Sequence, residues 1–176
     1  MLLKDKLSKL SKSENAILAT NFYNFETLSG ILQAAKKRNR PVILQLSESS
    51  LTYLGLEVAT SMARAALNAY QVEGWLHLDH GSSIDIAHRC LDAGFDSVMI
   101  DASEKSFEEN VKITSQVVKI ASRYSANVEA ELGYVAKLGQ EQKASQYTQP
   151  EEAKIFAEQT GVNALAIAIG SAHGFY

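Results

Sequence analysis

A chain of 176 residues, 46% of them hydrophobic, can bury one core, so residues 1–176 read as a single domain. A net charge of −3 argues against a protein that holds nucleic acid by bulk charge, and the basic run Lys36-Lys37-Arg38-Asn39-Arg40 suits a helix C-terminus. The single cysteine, Cys90, excludes a disulfide framework within the chain, and no run approaches the ~18 apolar residues of a membrane span. With no signal-peptide pattern at Met1-Leu2-Leu3-Lys4-Asp5-Lys6, the expectation is a soluble cytoplasmic protein without membrane or nucleic-acid partners.

The first predicted strand is residues 16–20. Leu28, Ile31, Leu32 and Ala35 then form a helical stripe that ends in the basic run. A second strand, residues 41–46, precedes a helix with Val58, Met62, Ala65 and Ala66 on its buried face. After a third strand at residues 75–78, Ser82-Ser83 caps a helix with Ile84, Ala87 and Leu91 inward, and Gly94 ends it. A fourth strand, Ser97–Ile100, leads to the capping box Ser106-x-x-Glu109 and a helix buried through Val111, Thr114, Val117, Val118 and Ala121. The fifth strand is residues 127–131, and the polar segment 136–147 after it reads as a long loop, the best candidate for a mobile lid. Thr148-x-x-Glu151, with Pro150 in the first turn, opens a last helix that stops at Gly161, before a sixth strand at residues 164–169.

These strands are too uniformly apolar for half-exposed antiparallel ones and suit a buried parallel sheet with right-handed helical crossovers, an α/β fold. No glycine-rich phosphate loop follows the first strand, which argues against a nucleotide-binding doubly wound sheet. Polar residues recur instead at the C-terminal ends of the strands: Asn21, Ser47, Asp79-His80, Asp101, Glu131 and His173. That distribution marks a (β/α)8 TIM barrel, whose functional residues come from the tops of different strands. A full barrel takes roughly 250 residues and eight strands. Six predicted strands therefore make this an incomplete barrel of about six strand–helix units, or a sheet that closes in some other way.

Two segments carry the chemistry. His77-Leu78-Asp79-His80-Gly81 puts two imidazoles and a carboxylate at a strand end, and Gly170-Ser171-Ala172-His173-Gly174 delivers a histidine at an equivalent position. A carboxylate beside metal-ligating histidines is what metal-assisted proton transfer needs. His77, two residues before Asp79, is expected to make an interior polar contact rather than ligate. His88 reads as a solvated mid-helix residue, Cys90 as a packed small side chain, and Glu129 as turned to the strand face opposite Glu131.

The pattern resembles the class II, zinc-dependent ketose-bisphosphate aldolases. The resemblance rests on Asn21 with Asn24-Phe25-Glu26-Thr27, Pro41-Val42-Ile43, the His77–Gly81 segment, Ser97-Val98-Met99-Ile100-Asp101-Ala102-Ser103, Val128-Glu129-Ala130-Glu131-Leu132-Gly133, and the glycine-bracketed His173. It implies a lyase of carbohydrate metabolism and glycolysis that cleaves fructose or tagatose 1,6-bisphosphate reversibly to dihydroxyacetone phosphate and glyceraldehyde 3-phosphate. In this likeness His80 and His173 are zinc ligands, Asp101 and Glu131 line the metal site and can serve as ligands, and Asp79 handles the hydroxyl proton. Asn21, Ser47 and Gly174 match substrate-contacting positions, and Glu141 is the nearest counterpart of a loop glutamate that moves the carbon-bound proton. The resemblance further implies Zn2+, a monovalent cation as a second ion, and a homodimer or homotetramer. It places a third zinc histidine and the phosphate-holding segments beyond Tyr176, so the 176-residue chain alone is expected to be inactive or to need a complementing piece. Two other readings stay open: a non-catalytic remnant or half-barrel interaction protein, and a different zinc enzyme built on the His-x-Asp-His segment.

Overall fold

The computed structural model describes residues 1–133 and 147–170. Six strands lie side by side in chain order: β1 (Leu18–Asn21), β2 (Val42–Ser47), β3 (Gly74–Gly81), β4 (Ser97–Ile100), β5 (Asn127–Leu132) and β6 (Ala164–Ile167). Each is parallel to its predecessor, and together they curl into a half-barrel. Parallel neighbours need a crossover, which helices supply: α2 (Phe25–Arg38), α3 (Glu48–Leu54) with α4 (Leu56–Tyr70), α5 (Ile84–Asp92), α6 (Phe107–Ala121) and α7 (Pro150–Thr160). An N-terminal helix, α1 (Leu3–Leu10), precedes β1. All six predicted strands are present, within a few residues at their ends.

The alternation of side chains along each strand separates two environments. One face carries Leu44 and Leu46 of β2, Leu76 and Leu78 of β3, Val98 and Ile100 of β4, and Val128 and Ala130 of β5, all buried against Leu28, Leu32, Ala59, Ala63, Leu91, Val117 and Phe156 of the helices. Each fully buried leucine contributes roughly 1.5–3 kcal/mol relative to exposure, so the sheet–helix layer supplies most of the hydrophobic stabilisation. The other face lines the barrel interior and carries Asn21, Gln45, His77, Asp79, Ser97, Glu129 and Glu131, which pair with one another across strands. The apolar outer face fixes the register, and the register delivers the polar residues to the interior.

Local signals end the helices where the chemistry predicts. Asn24 caps α2 through a reciprocal box with Thr27, and the basic side chains Lys36, Lys37 and Arg38 occupy its last turn. Ser83 caps α5 by accepting from the Ile86 amide, and Ser106 caps α6 by accepting from the Glu109 amide. Gly94 and Gly161 follow their helices at φ +94° and +69°, the left-handed region that glycine enters freely.

Three local expectations are corrected. The buried face of α4 runs through Ala59, Ala63, Ala66 and Leu67 rather than Val58 and Ala65, and Val58 is 60% exposed. A stripe of alanines lets the helix sit close to the sheet, so the bulkier Val58 was a poor guide to the inward side. Gln149, not Thr148, is the N-cap of α7. Thr148 ties two strand ends together instead: its hydroxyl donates to the Leu132 carbonyl and accepts from the Ala168 amide. Glu129 is not turned away from Glu131. Residues two apart on a strand share a face, and Glu129 reaches into the interior, 3.6 Å from His77 Nε2.

The end of the barrel away from the site is tied by polar contacts. Arg64 of α4 donates to the Gly94 carbonyl at 2.5 Å and to Asp96 at 2.8 Å, and Asp96 accepts the Leu76 amide. Helix α1 closes over the same end: Leu3 is buried, Lys6 pairs with Glu73 at 2.6 Å, and the Trp75 indole donates to the Met1 carbonyl at 3.1 Å.

Candidate metal centre

The site assembles at the C-terminal ends of the strands. Asn21 ends β1, Ser47 ends β2, Asp79 and His80 lie in the last three residues of β3, Asp101 follows β4 directly, and Glu131 is penultimate in β5. The expected residues within the described part of the chain thus converge on one end of the sheet.

His80 reaches this cluster because β3 breaks its regular alternation. Asp79 faces the interior, so a regular strand would turn His80 outward. The pairing of β3 with β4 instead shifts register between Leu78 and Gly81, and His80 adopts φ +50°. A left-handed conformation costs a non-glycine residue about 1–2 kcal/mol. Such irregularities re-aim a side chain, and here His80 is turned toward β4 and β5. Gly81 is required by the same geometry, since a Cβ there would meet the Met99 carbonyl at 2.7 Å.

His80 Nδ1 lies 2.9 Å from Asp101 Oδ2 and 3.9 Å from Glu131 Oε2. One ligand atom from each of His80, Asp101 and Glu131 fits within a 4.8 Å cluster. The hydrogen bond that His80 donates to Asp101 raises the His80 pKa above its ordinary value, against burial, and the charges of Asp79, Asp101 and Glu131 add to it. Burial works to raise Asp101, but the hydrogen bonds from His80 and from the Ser103 hydroxyl and amide outweigh it and hold the carboxyl down at about 2. Ser103 donates to Asp101 Oδ1 from its hydroxyl at 2.7 Å and its amide at 3.1 Å. Asp101 is therefore an ionised carboxylate with a fixed orientation, and it favours the His80 tautomer protonated on Nδ1.

Asp79 is oriented from two other strands. Asn21 donates to its Oδ2 at 2.7 Å and Gln45 to its Oδ1 at 3.3 Å. Ser47, its register partner on β2, has its hydroxyl engaged as the N-cap of α3, accepting from the Ser50 amide and contacting the Ser49 and Ser50 hydroxyls. Below Asp79, His77 makes the interior contact expected of it: Nδ1 is 2.8 Å from Ser97 Oγ. Its Nε2 is buried without a hydrogen-bond partner among the described residues. Burial pushes His77 down to about 4, so the ring is neutral near pH 7. Burial also raises Glu129, and the Asp79 charge adds to the effect.

Sequence reasoning missed four supporting residues. Gln45 was one polar residue in an apolar run, which is itself the signal of an inward position. Asn110 lies four residues before Thr114 on the buried stripe of α6; it is buried, donates to the Glu131 carbonyl at 2.9 Å and accepts from the Thr114 hydroxyl. Ser103 stood within a recognised segment without a role. Glu48, at the start of α3, accepts the Ser82 amide just beyond His80, and no local pattern announced that contact. Cys90 is packed as expected, and burial pushes its thiol up to about 12. His88 is half-exposed and bonds the Tyr124 hydroxyl at 3.0 Å. His173, Gly174, Glu141 and all of the lid segment except Tyr147 lie outside the described residues.

The donor set suits a zinc ion: His80, Asp101 and Glu131 bring one imidazole and two carboxylates together, and imidazoles and carboxylates are groups that hold zinc in proteins. A parallel barrel segment with converging polar side chains at its C-terminal strand ends is the scaffold of a TIM-barrel enzyme. The family model for class II fructose-bisphosphate aldolase matches residues 2–176, and the chain belongs to that family. A fructose-bisphosphate aldolase from Giardia intestinalis is 40% identical over 99% of this chain and 54% of its own length. The D-tagatose-1,6-bisphosphate aldolase subunit GatY of Klebsiella oxytoca is 36% identical over 98% of this chain and 62% of its own. The crystal structure of the YdjI aldolase from Escherichia coli K12 superimposes with a TM-score of 0.87 at 32% identity, covering 98% of this chain and 64% of that one. The chain thus spans between about half and two thirds of the length of the relatives it matches. Among the described residues, no helix is long and apolar enough to cross a membrane.

Proposed function

We propose that this chain carries the metal-holding part of a class II aldolase that cleaves a ketose 1,6-bisphosphate, fructose or tagatose, to dihydroxyacetone phosphate and glyceraldehyde 3-phosphate. The observation that carries this reading is the His80–Asp101–Glu131 cluster beside the oriented carboxylate of Asp79. His80 and Glu131, with Asp101 and with His173, are the residues that would hold zinc. The chemistry such an ion supplies is polarisation of the ketose carbonyl, the sink for the electron pair released when the C3–C4 bond breaks.

The chain's own residues do the rest. Asp79 takes the C4 hydroxyl proton as that bond breaks and returns it in the condensation direction. Asn21 and Gln45 hold its two oxygens in place, so the carboxylate is presented in one orientation. Asp101 fixes the His80 tautomer and ring plane. Glu141 delivers the proton to the carbon that becomes the hydroxymethyl of dihydroxyacetone phosphate. Asn21, Ser47 and Gly174 contact the substrate. A homo-oligomer, a monovalent cation beside the zinc and a cytoplasmic setting belong to the same reading.

The test is zinc binding together with turnover. The protein should bind one zinc ion per chain, and His80→Ala should lose it. In a barrel completed by the missing strands, Asp79→Asn should keep the zinc and lose cleavage of both bisphosphates. Zinc uptake unchanged in His80→Ala would overturn the reading.

A further inference from the structure

We propose that Glu48 is a positioning residue for His80, a role that rests on the metal-centre reading above. Glu48 is the first residue of α3, directly after Ser47 at the end of β2, and β2 is the neighbour of β3 on the side away from β4. Its carboxylate accepts the backbone N–H of Ser82, two residues after His80. A carboxylate–amide bond of this kind is charge-assisted and stronger than a neutral one.

The segment that Glu48 grips is the one whose shape decides where His80 points. His80 is held at φ +50° within a register shift, and a residue in that conformation persists only where the surroundings hold it. On the β4 side the hold is visible: the Asp101 amide donates to the Gly81 carbonyl at 2.9 Å, and the Met99 carbonyl packs where a Gly81 side chain would be. On the β2 side the grip on Ser82 comes from Glu48. The turn is clamped from both neighbouring strands, with Glu48 as the side-chain half of the clamp. Without it, Ser82 is released and His80 is free to relax toward regular strand geometry, which turns its ring away from Asp101 and Glu131.

The described contact of Glu48 is with the backbone of Ser82, so the effect on metal proposed for it travels through the backbone. Two readouts separate this from a merely structural role. In the metal-free protein, Glu48→Ala should speed amide hydrogen exchange at Ser82 at least ~10-fold, while Glu48→Gln, which keeps an acceptor oxygen, should not. Zinc affinity, measured by competition with a chromophoric chelator, should fall ~10–100-fold in Glu48→Ala, the range expected for a residue that orients a ligand, and recover to within ~3-fold in Glu48→Gln. If Glu48→Ala does not fold, Glu48→Asp, which keeps the charge but is one carbon shorter, gives the same comparison. Zinc affinity within twofold of wild type, with the Ser82 amide freed, overturns the positioning role. If wild type and His80→Ala take up zinc equally, the metal-centre reading fails and this role with it, and the metal-free exchange data still report whether the clamp exists.

Discussion

Asn21 on β1 and Asp79 on β3 are joined by a 2.7 Å hydrogen bond that spans the strand between them. Gln45, on that intervening strand, adds a second donor to the same carboxylate at 3.3 Å. Three strands thus fix one acid group. A group that moves a proton in a transition state must be aimed, and a misplacement of about 1 Å can cost 10²-fold. In a barrel completed by the missing strands, Asn21→Ala should lower kcat by ~10–100-fold and leave the Zn2+ affinity within about threefold, because Asp79 loses its aim while the metal cluster is untouched. Steady-state kinetics beside a zinc titration decide this. A change confined to KM would assign Asn21 to substrate binding alone.

The buried imidazole of His77 sets a pH dependence of stability. Burial lowers its pKa from 6.5 to about 4 in the folded protein. Between those values the unfolded chain binds a proton that the folded one refuses, so stability rises with pH across this window. It is lost as the pH falls from about 6.5 through about 4, by up to roughly 3 kcal/mol at 1.36 kcal/mol per unit. Glu129, whose pKa is raised, works in the opposite sense as its own window is crossed. His77→Gln removes only the first contribution. Urea midpoints at pH 7 and pH 4.5 should therefore differ less in His77→Gln than in wild type, and equal differences would mean that His77 titrates as an ordinary histidine.

Much of this site was legible in the amino-acid sequence because a parallel strand buried on its outer face leaves a plain signal. The run Leu76-His77-Leu78-Asp79 alternates leucine with ionisable residues, and only one arrangement puts the leucines under helices and the charges inside the barrel. Position at a strand end then says which polar residues can meet. What was not legible depends on distance in the fold. Nothing near Asn110 says that its amide will reach the Glu131 carbonyl, and nothing near Glu48 says that Ser82 will lie against it. The wrong side assigned to Glu129 was a different kind of error. The two-residue period was sufficient to place it beside Glu131, on the same interior face, where it is half-buried and 3.6 Å from His77 Nε2.

Asn110 connects helix packing to the site. It is buried in α6 and donates to the carbonyl of Glu131 while accepting from Thr114. Asn110→Ala removes both bonds and leaves a carbonyl on β5 without that donor, a cost of about 2–3 kcal/mol. Chemical denaturation should show a lower midpoint with an unchanged slope. A loss below about 0.5 kcal/mol would mean that water or a neighbouring group takes over the carbonyl.

Zinc should stabilise the fold as well as complete the site. The three clustered side chains come from β3, the turn after β4, and β5, so an ion shared among them ties together strands that the unfolded chain holds apart. Ligand that binds only the folded state adds about 2.7 kcal/mol at a free concentration one hundred times Kd. For a chain of this size each kcal/mol shifts Tm by roughly 2–4 °C, so saturating zinc should raise Tm by about 5–10 °C over the chelator-treated protein. Calorimetry with and without Zn2+ measures this directly. The shift should vanish in His80→Ala and shrink in Asp101→Asn, where the imidazole loses the ionised partner that orients it. A zinc-dependent shift of full size in both variants would mean that the ion binds elsewhere on the chain.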